Sequence, residues 1–426
     1  MKKRLLMLVV LAICMCLLTG CVGSEIFGLR SPWLESIFGE DTEEENETRP
    51  ADNQSDTVTI SREEYEQYQQ FNELIDLIDF AENAFYKDTD REKMLQYAAK
   101  GLMAGLDDPY SFYYTPDEWS TMWEDDEGEY EGIGVLINAN YKTGICTIIR
   151  VFKGSPAEEA GVQRGDILYR VGEDLYVTAE TLQDAVDIMK GQAGSSVDVT
   201  FIRNEEEITY NIMRRKVNVN QVESTMLDKD IGYIALYQFA GNAEKEFETA
   251  MRKLITGGAK GLIIDLRDNP GGWVEQARYI ADLFMDKGEL CYLVYKDGYE
   301  DHTEYLTRDG KVNVKLVVLM NENSASSSEI LAGALRDCAD ATLVGTVSFG
   351  KGIVQAVTEV GKKGAGFQMT VASYRTPKGT EVHEVGIIPD VEVKLPEGDN
   401  GMYDFADLEH DVQLQEALEA MKEKLK

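Results

Sequence analysis

The run LVVLMNENSASSSEI, Leu316 to Ile330, decides the architecture of the C-terminal half of this chain. An apolar strand-length segment enters a turn of small polar residues and leaves it as a helix, SSEILAGALR. The same alternation repeats on its N-terminal side. IGYIALYQF from Ile231 precedes a helix through Phe247 to Ile255, and GLIIDLR from Gly261 precedes one through Ala277 to Phe284, with CYLVY (291–295) after it. Strands apolar on both faces and separated by helices predict a parallel or mixed sheet covered by helices, an α/β core over residues 216–396.

Upstream the pattern changes. Residues 124–215 hold short β-rich runs separated by glycine turns (GVLIN, CTIIRVF, DILYRV, VDVTFI, ITYNIMRR) and one helix, 179–190. That order predicts a small half-open barrel with one or two helices. Residues 61–123 read as helical: Ser61 before Glu63 and Glu64 is an N-cap, and Phe71, Leu74, Ile75, Ile78 and Phe80 follow at helical spacing. A second helix runs from Met94 to Leu106, and an amphipathic stripe of Leu414, Leu418, Met421 and Leu425 marks a closing helix within 397–426. The fold class is thus multidomain, α+β with an α/β core. Between residues 21 and 60 the chain carries ten acidic residues against Arg30 and Arg49, without apolar period, and reads as a disordered tether. Residues 1–20 pair a Lys2-Lys3-Arg4 cluster with a short apolar run from Leu5 to Leu18, the layout of a signal peptide.

Charge narrows the function. With 42 Lys and Arg against 77 Asp and Glu, the net charge of −35 argues against nucleic-acid binding and against attraction to anionic lipid. Cys146, Cys291 and Cys338 remain once the N-terminal segment is set aside, an odd number with no CxxC, so they read as buried small hydrophobes rather than as a disulfide or zinc framework.

Ser326 stands where the 316–330 strand meets its helix, beside the partly positive helix N-terminus that stabilises an alkoxide or oxyanion. The spacing to Glu329 also suits a plain capping box. A serine nucleophile needs a base, and only His302, His383 and His410 exist, each in a polar or loop-like context. Lys351, between Gly350 and Gly352, is the other option, with Gln355 four positions on along an extended stretch. Alone it reads equally as a turn lysine. Asp265 to Gly272, DLRDNPGG, ends a buried strand in a Gly-Gly turn, where bare amides can meet an oxyanion.

Together DLRDNPGG, SASSSEI (324–330), FGKGIVQ (349–355), SYRTPKG (373–379) and VGIIPD (385–390) resemble the carboxyl-terminal processing peptidases, or tail-specific proteases. DDPYSFYY (107–114) and the terminal helix extend the similarity over nearly all of the chain beyond the tether. The resemblance implies Ser326 as nucleophile, Lys351 as its general base and Gln355 orienting the lysine. It implies an oxyanion hole from Gly271 or Gly272 and from Ser327, where the family more usually has alanine. No HExxH or comparable ligand cluster appears in the sequence, so no metal is expected, and no cofactor. Lysine at about 10.4 must fall to roughly 7–8 to act as a base, which predicts an apolar niche for Lys351.

Two further resemblances set partners and place. YEGIG (130–134), GSPAEEAG (154–161) and RGDI (164–167) look like a PDZ domain, in which Gly132, Ile133 and Gly134 would receive a substrate's C-terminus. LTGC, ending at Cys21, resembles a bacterial lipobox, implying cleavage before Cys21, lipidation of its thiol and a protein held at the membrane outside the cytoplasm. Protein and peptide substrates are the expected partners, and the helices of 61–123 and 407–426 either dimerise or pack on the body. Two rivals are weighed. Ser348-x-x-Lys351 with Lys142-Thr143-Gly144 mimics a penicillin-binding enzyme, but the glycines at 350 and 352 oppose the required helix. A non-catalytic PDZ lipoprotein that holds chain ends is the other.

Overall fold

The structure, a computed structural model, describes residues 59–426 apart from 127–128, 141–142, 309–311, 362, 396–407 and 409. The signal segment, Cys21 and nearly all of the tether lie outside the described residues. The chain divides into two units, one running to Trp119 and resuming for Gln355–Thr370, the other comprising Ser120–Val354 and Val371–Lys426.

In the first unit α1 (Arg62–Gln69), α2 (Asn72–Ala84) and α3 (Arg91–Ala104) lead to the short strand β1 (Phe112–Tyr114). Helix α1 opens on a full capping box: Glu64 N–H donates to Ser61 Oγ at 3.1 Å and Ser61 N–H to Glu64 Oε2 at 2.8 Å. The DDPYS turn is closed by Asp108, which accepts from the Tyr110 amide at 3.1 Å and the Ser111 hydroxyl at 2.5 Å. Helix α4 (Pro116–Asp126) follows.

The β-rich domain contains β2 (Glu129–Gly132), β3 (Val135–Ala139), β4 (Cys146–Val151), α5 (Pro156–Ala160), β5 (Ile167–Val171), β6 (Leu175–Tyr176), α6 (Leu182–Met189), β7 (Ser196–Arg203), β8 (Glu206–Met213) and β9 (Arg215–Asn218). Its antiparallel sheet runs β3-β4-β5-β7-β8 with β6 on β5, while β2 and β9 form a separate ribbon. Val197, Val199 and Phe201 turn alternate side chains inward, as a period of two requires, against Ile148, Leu168, Ala185 and Met189. Strand β3 ends the sheet order, so its outer edge carries no strand partner among the described residues.

The core adds β10 (Val222–Asp228), β11 (Ile231–Leu236), α7 (Ala243–Thr256), β12 (Gly261–Asp265), α8 (Val274–Asp282), β13 (Glu289–Tyr295), β14 (Glu300–Leu306), β15 (Lys315–Met320), α9 (Ser327–Cys338), β16 (Thr342–Gly345), β17 (Ile353–Val360), β18 (Ala365–Arg375), β19 (Val391–Glu392) and α10 (Val412–Lys424). Strands order β10-β11-β12-β15-β16-β19, parallel except for β10. Tyr233, Ile263 and Val317, neighbours in register, pack on Leu414, Ala417 and Met421 of α10. Leu254 of α7 meets the opposite face at Gly232. Helix α10 is also fastened by charge. Arg267, only 3% exposed, bonds Asp265 at 2.6 Å and Asp411 at 2.6 Å. Burial opposes its charge, but the two carboxylates outweigh that and hold the guanidinium above its ordinary pKa.

Two sequence expectations change. CYLVY does not extend the parallel sheet: a tight turn at Asp297-Gly298 returns the chain antiparallel as β14, and β13 also pairs antiparallel with the second half of β18. Cys146 and Cys291 are buried, but Cys338 is exposed at the end of α9.

Candidate active site

The carboxyl ends of β12 and β15 lie side by side, Asp265 opposite Leu319, so the loops leaving them meet. They are stitched together by side chains. Ser324 Oγ donates to Leu266 O at 2.8 Å, Ser328 Oγ to Asn269 O at 2.9 Å, and Asn321 Oδ1 accepts from the Asp268 amide at 2.9 Å. Ser326 therefore sits beside the Gly-Gly turn. A β-carbon on Gly271 would fall 2.8 Å from Ala325 O and 2.8 Å from Ser326 Cβ, so only glycine allows this approach.

The turn holds Ser326 at φ 54° and ψ −117°, a left-handed conformation that serine adopts only under constraint. The constraint is visible at both ends of the residue. Its carbonyl accepts from the Ile330 amide at 2.9 Å and from the buried Tyr374 hydroxyl at 3.2 Å, and its amide donates to Glu329 Oε2 at 2.9 Å. The hydroxyl-bearing residue thus opens α9 at its positive end.

The two glycines separate in role. The Gly271 amide already donates to Asn269 Oδ1 at 2.9 Å. Those of Gly272 and Ser327 have no hydrogen-bond partner among the described residues. Gly272 is locked where it stands, since a β-carbon there would fall 2.1 Å from Phe239 O, and its carbonyl accepts from Ser327 Oγ at 2.7 Å.

Lys351 precedes β17 and is half-buried. Its loop lies on the 382–387 segment: Glu384 N–H donates to Gly350 O at 2.8 Å, Ile387 N–H to Ser348 Oγ at 2.6 Å, and a β-carbon on Gly352 would fall 2.2 Å from the His383 amide. Gln355 lies on β17 in the first unit, where its Nε2 donates to Thr370 Oγ1 at 3.2 Å and the Thr370 amide donates to Ser111 Oγ at 3.1 Å. The second unit thus brings Ser326, Ser327, Gly271, Gly272 and Lys351 onto interlocking loops. Gly132, Ile133 and Gly134 lead into the edge strand β3, with Ile133 buried and its carbonyl accepting from the Ala157 amide at 2.8 Å.

Sequence reasoning treated Glu329 as a helix cap. In the structure it is 1% exposed and gathers four donors: the Ser326 amide at 2.9 Å, the Ser348 hydroxyl at 2.5 Å, the Gly350 amide at 2.7 Å and the Lys351 amide at 2.9 Å. Burial holds its carboxyl above the ordinary range, and these four bonds offset only part of that rise.

Comparison with known proteins identifies the family. The sequence profile of peptidase family S41 matches residues 230–393, that of a PDZ domain residues 147–203, and that of the N-terminal domain of the activating protease CtpB residues 30–117. The chain is 35% identical over 334 residues to a carboxyl-terminal-processing protease of Synechocystis sp., a match covering 76% of each. It is 36% identical over 315 residues to the carboxy-terminal processing protease CtpA of Bacillus subtilis, covering 74% of this chain and 66% of that relative. Among solved structures, the photosystem II D1 C-terminal processing protease superposes with a TM-score of 0.51 at 27% identity, over 78% of this chain and 86% of that one. On these matches the chain belongs to the carboxyl-terminal processing proteases, PDZ-containing serine proteases of peptidase family S41.

Proposed function

We propose that this chain is an endopeptidase working outside the cytoplasm, that Ser326 and Lys351 are its catalytic dyad, and that its PDZ domain reads substrate C-termini. The observation that carries the reading is the turn at Ser326: a strained serine at a helix N-terminus, packed against Gly271 of the Gly-Gly turn. In this mechanism Ser326 Oγ attacks the scissile carbonyl carbon while its proton passes to the neutral Lys351 amine. The carbonyl oxygen takes the negative charge and receives the Gly272 and Ser327 N–H groups. Collapse breaks the C–N bond, Lys351 returns the proton to the leaving amine, and water then hydrolyses the acyl-serine with the lysine again as base. Gln355 is the residue that orients the lysine. No step calls for a metal or cofactor.

Substrate tails dock by adding a strand to the open edge of β3, their carboxylate beside Gly132–Gly134, with β3 and α6 flanking the last side chain. Lipid on Cys21 holds the protein at the membrane, and replacing Cys21 by Ala releases it to the soluble fraction.

Cleavage of casein by full-length protein in detergent tests the dyad. Ser326→Ala and Lys351→Ala are each expected to abolish cleavage with unchanged circular dichroism. Activity surviving in either variant overturns the assignment, and activity absent from wild type favours a binding-only PDZ lipoprotein.

A further inference from the structure

A single oxygen, Glu329 Oε2, accepts from the backbone amides of both Ser326 and Lys351, at 2.9 Å each. The two nitrogens are therefore no more than twice that distance, 5.8 Å, apart, although 25 positions separate them in sequence. The other oxygen, Oε1, is held by Ser348 Oγ at 2.5 Å and the Gly350 amide at 2.7 Å, which fixes the carboxylate's rotation. Ser348 in turn accepts from the Ile387 amide at 2.6 Å, so the carboxylate is anchored to the 382–387 segment as well.

We propose that Glu329 is the positioning residue of the Ser326–Lys351 pair, one carboxylate setting the separation and orientation of nucleophile and base. The proposal rests on the dyad reading above. Its chemical basis is the donor set. All four partners are N–H or O–H groups pointing at one side chain, and only a group with two accepting oxygens and no hydrogen of its own satisfies all of them. A plain helix cap makes a weaker demand, because glutamine serves in a capping box as well as glutamate does. Glutamine here would turn an NH2 group toward two donors and push one loop away. Misplacement of reacting groups by about 1 Å is enough to cost ~100-fold in rate.

The test is Glu329→Gln in full-length protein, read as kcat and KM on a model peptide with a free C-terminus and as the rate at which Ser326 reacts with a small fluorophosphonate probe. Expected is a kcat lower by ~100-fold with KM within about two-fold, a parallel loss of probe reactivity, and a folded protein by circular dichroism. Wild-type kcat in folded Glu329→Gln overturns the proposal and leaves Glu329 a cap. If Glu329→Gln does not fold, Ser348→Ala decides. It keeps both dyad amides on Oε2 but frees the rotation of the carboxylate, and kcat should fall several-fold with KM unchanged, whereas an unchanged kcat overturns the proposal. Lys351→Ala, assayed alongside, separates the two ideas: an active Lys351→Ala removes the dyad itself, while an inactive one with a neutral Glu329→Gln removes only the positioning role.

Discussion

The guanidinium of Arg150 lies 3.7 Å from the ring centre of Tyr237. Arg150 belongs to β4 of the PDZ domain and Tyr237 directly follows β11 of the core, so this pair joins the two domains at the end of the central sheet where the site forms. Arg150 also donates to Asn220 O, and Tyr237 donates its hydroxyl to Glu223 at 2.8 Å. Burial, assisted by the Glu223 charge, pushes the Tyr237 hydroxyl far above its ordinary pKa and keeps it a donor. A cation over an aromatic face is worth about 0.5–2 kcal/mol. A double-mutant cycle of Arg150→Ala and Tyr237→Leu, read by urea unfolding, should return a coupling energy in that range. A coupling near zero would reduce the contact to packing.

Gly272→Ala is expected to lower kcat by ~100–1,000-fold, the loss typical of one missing oxyanion donor. The reason is steric, since its β-carbon would fall 2.1 Å from Phe239 O and the turn must move. Peptide capture by the PDZ domain, measured by fluorescence anisotropy, should be unchanged, because Gly272 is not part of that domain. Wild-type kcat in this variant would remove Gly272 from the oxyanion hole.

Proteolysis should rise with pH through one ionisation, that of Lys351, and no histidine should govern it. His302 provides the control. Its hydrogen bond to Glu289, with Glu300 adding, raises its pKa above the ordinary value of about 6.5. A folded value above the unfolded one means that His302 contributes stability in full below about pH 6.5 and loses it as pH rises through the raised value. His302→Gln should therefore erase that part of the stability profile and leave the activity profile where it was. An activity profile that moves with His302, His383 or His410 would point to a histidine base.

Amidating the C-terminus of a model peptide should lower kcat/KM substantially, chiefly through KM, because it removes the carboxylate that the Gly132–Gly134 amides would bind. Gly134→Val should mimic the loss, as its β-carbon would fall 2.3 Å from Ser155 Cβ in a backbone at φ +90°. Equal cleavage of acid and amide peptides would show that this domain does not read tails.

Residues whose chemistry is local were the legible ones. Ser326 could be read because an apolar strand, a small-residue turn and a helix lie in immediate succession, and the DLRDNPGG turn was readable for the same reason. The roles of Gly271 and Gly272 stayed undivided, although Asn269-Pro270-Gly271 carries the signal: an asparagine side chain reaches the amide two residues on. Glu329 was legible only as a cap, since Ser326 is three positions away while Ser348, Gly350 and Lys351 are 19–22 positions off and are brought in by the fold. The strand CYLVY misled because buried antiparallel and parallel strands share one composition, and the deciding Asp297-Gly298 turn lies outside the apolar run.

The dihedral angles of Ser326 bear on how this chain would change if it gave up chemistry. A non-glycine residue in such a conformation costs of order 1–3 kcal/mol, and glycine at the same position would not. A lineage using the protein only to hold other chains would gain thermal tolerance from a single serine-to-glycine exchange and lose nothing it needs. Ser326→Gly and Ser326→Ala are thus two different inert proteins: the first relaxes the turn, and the second keeps it under tension with no nucleophile. Serine held at φ 54° is a standing expense of the fold that turnover alone repays.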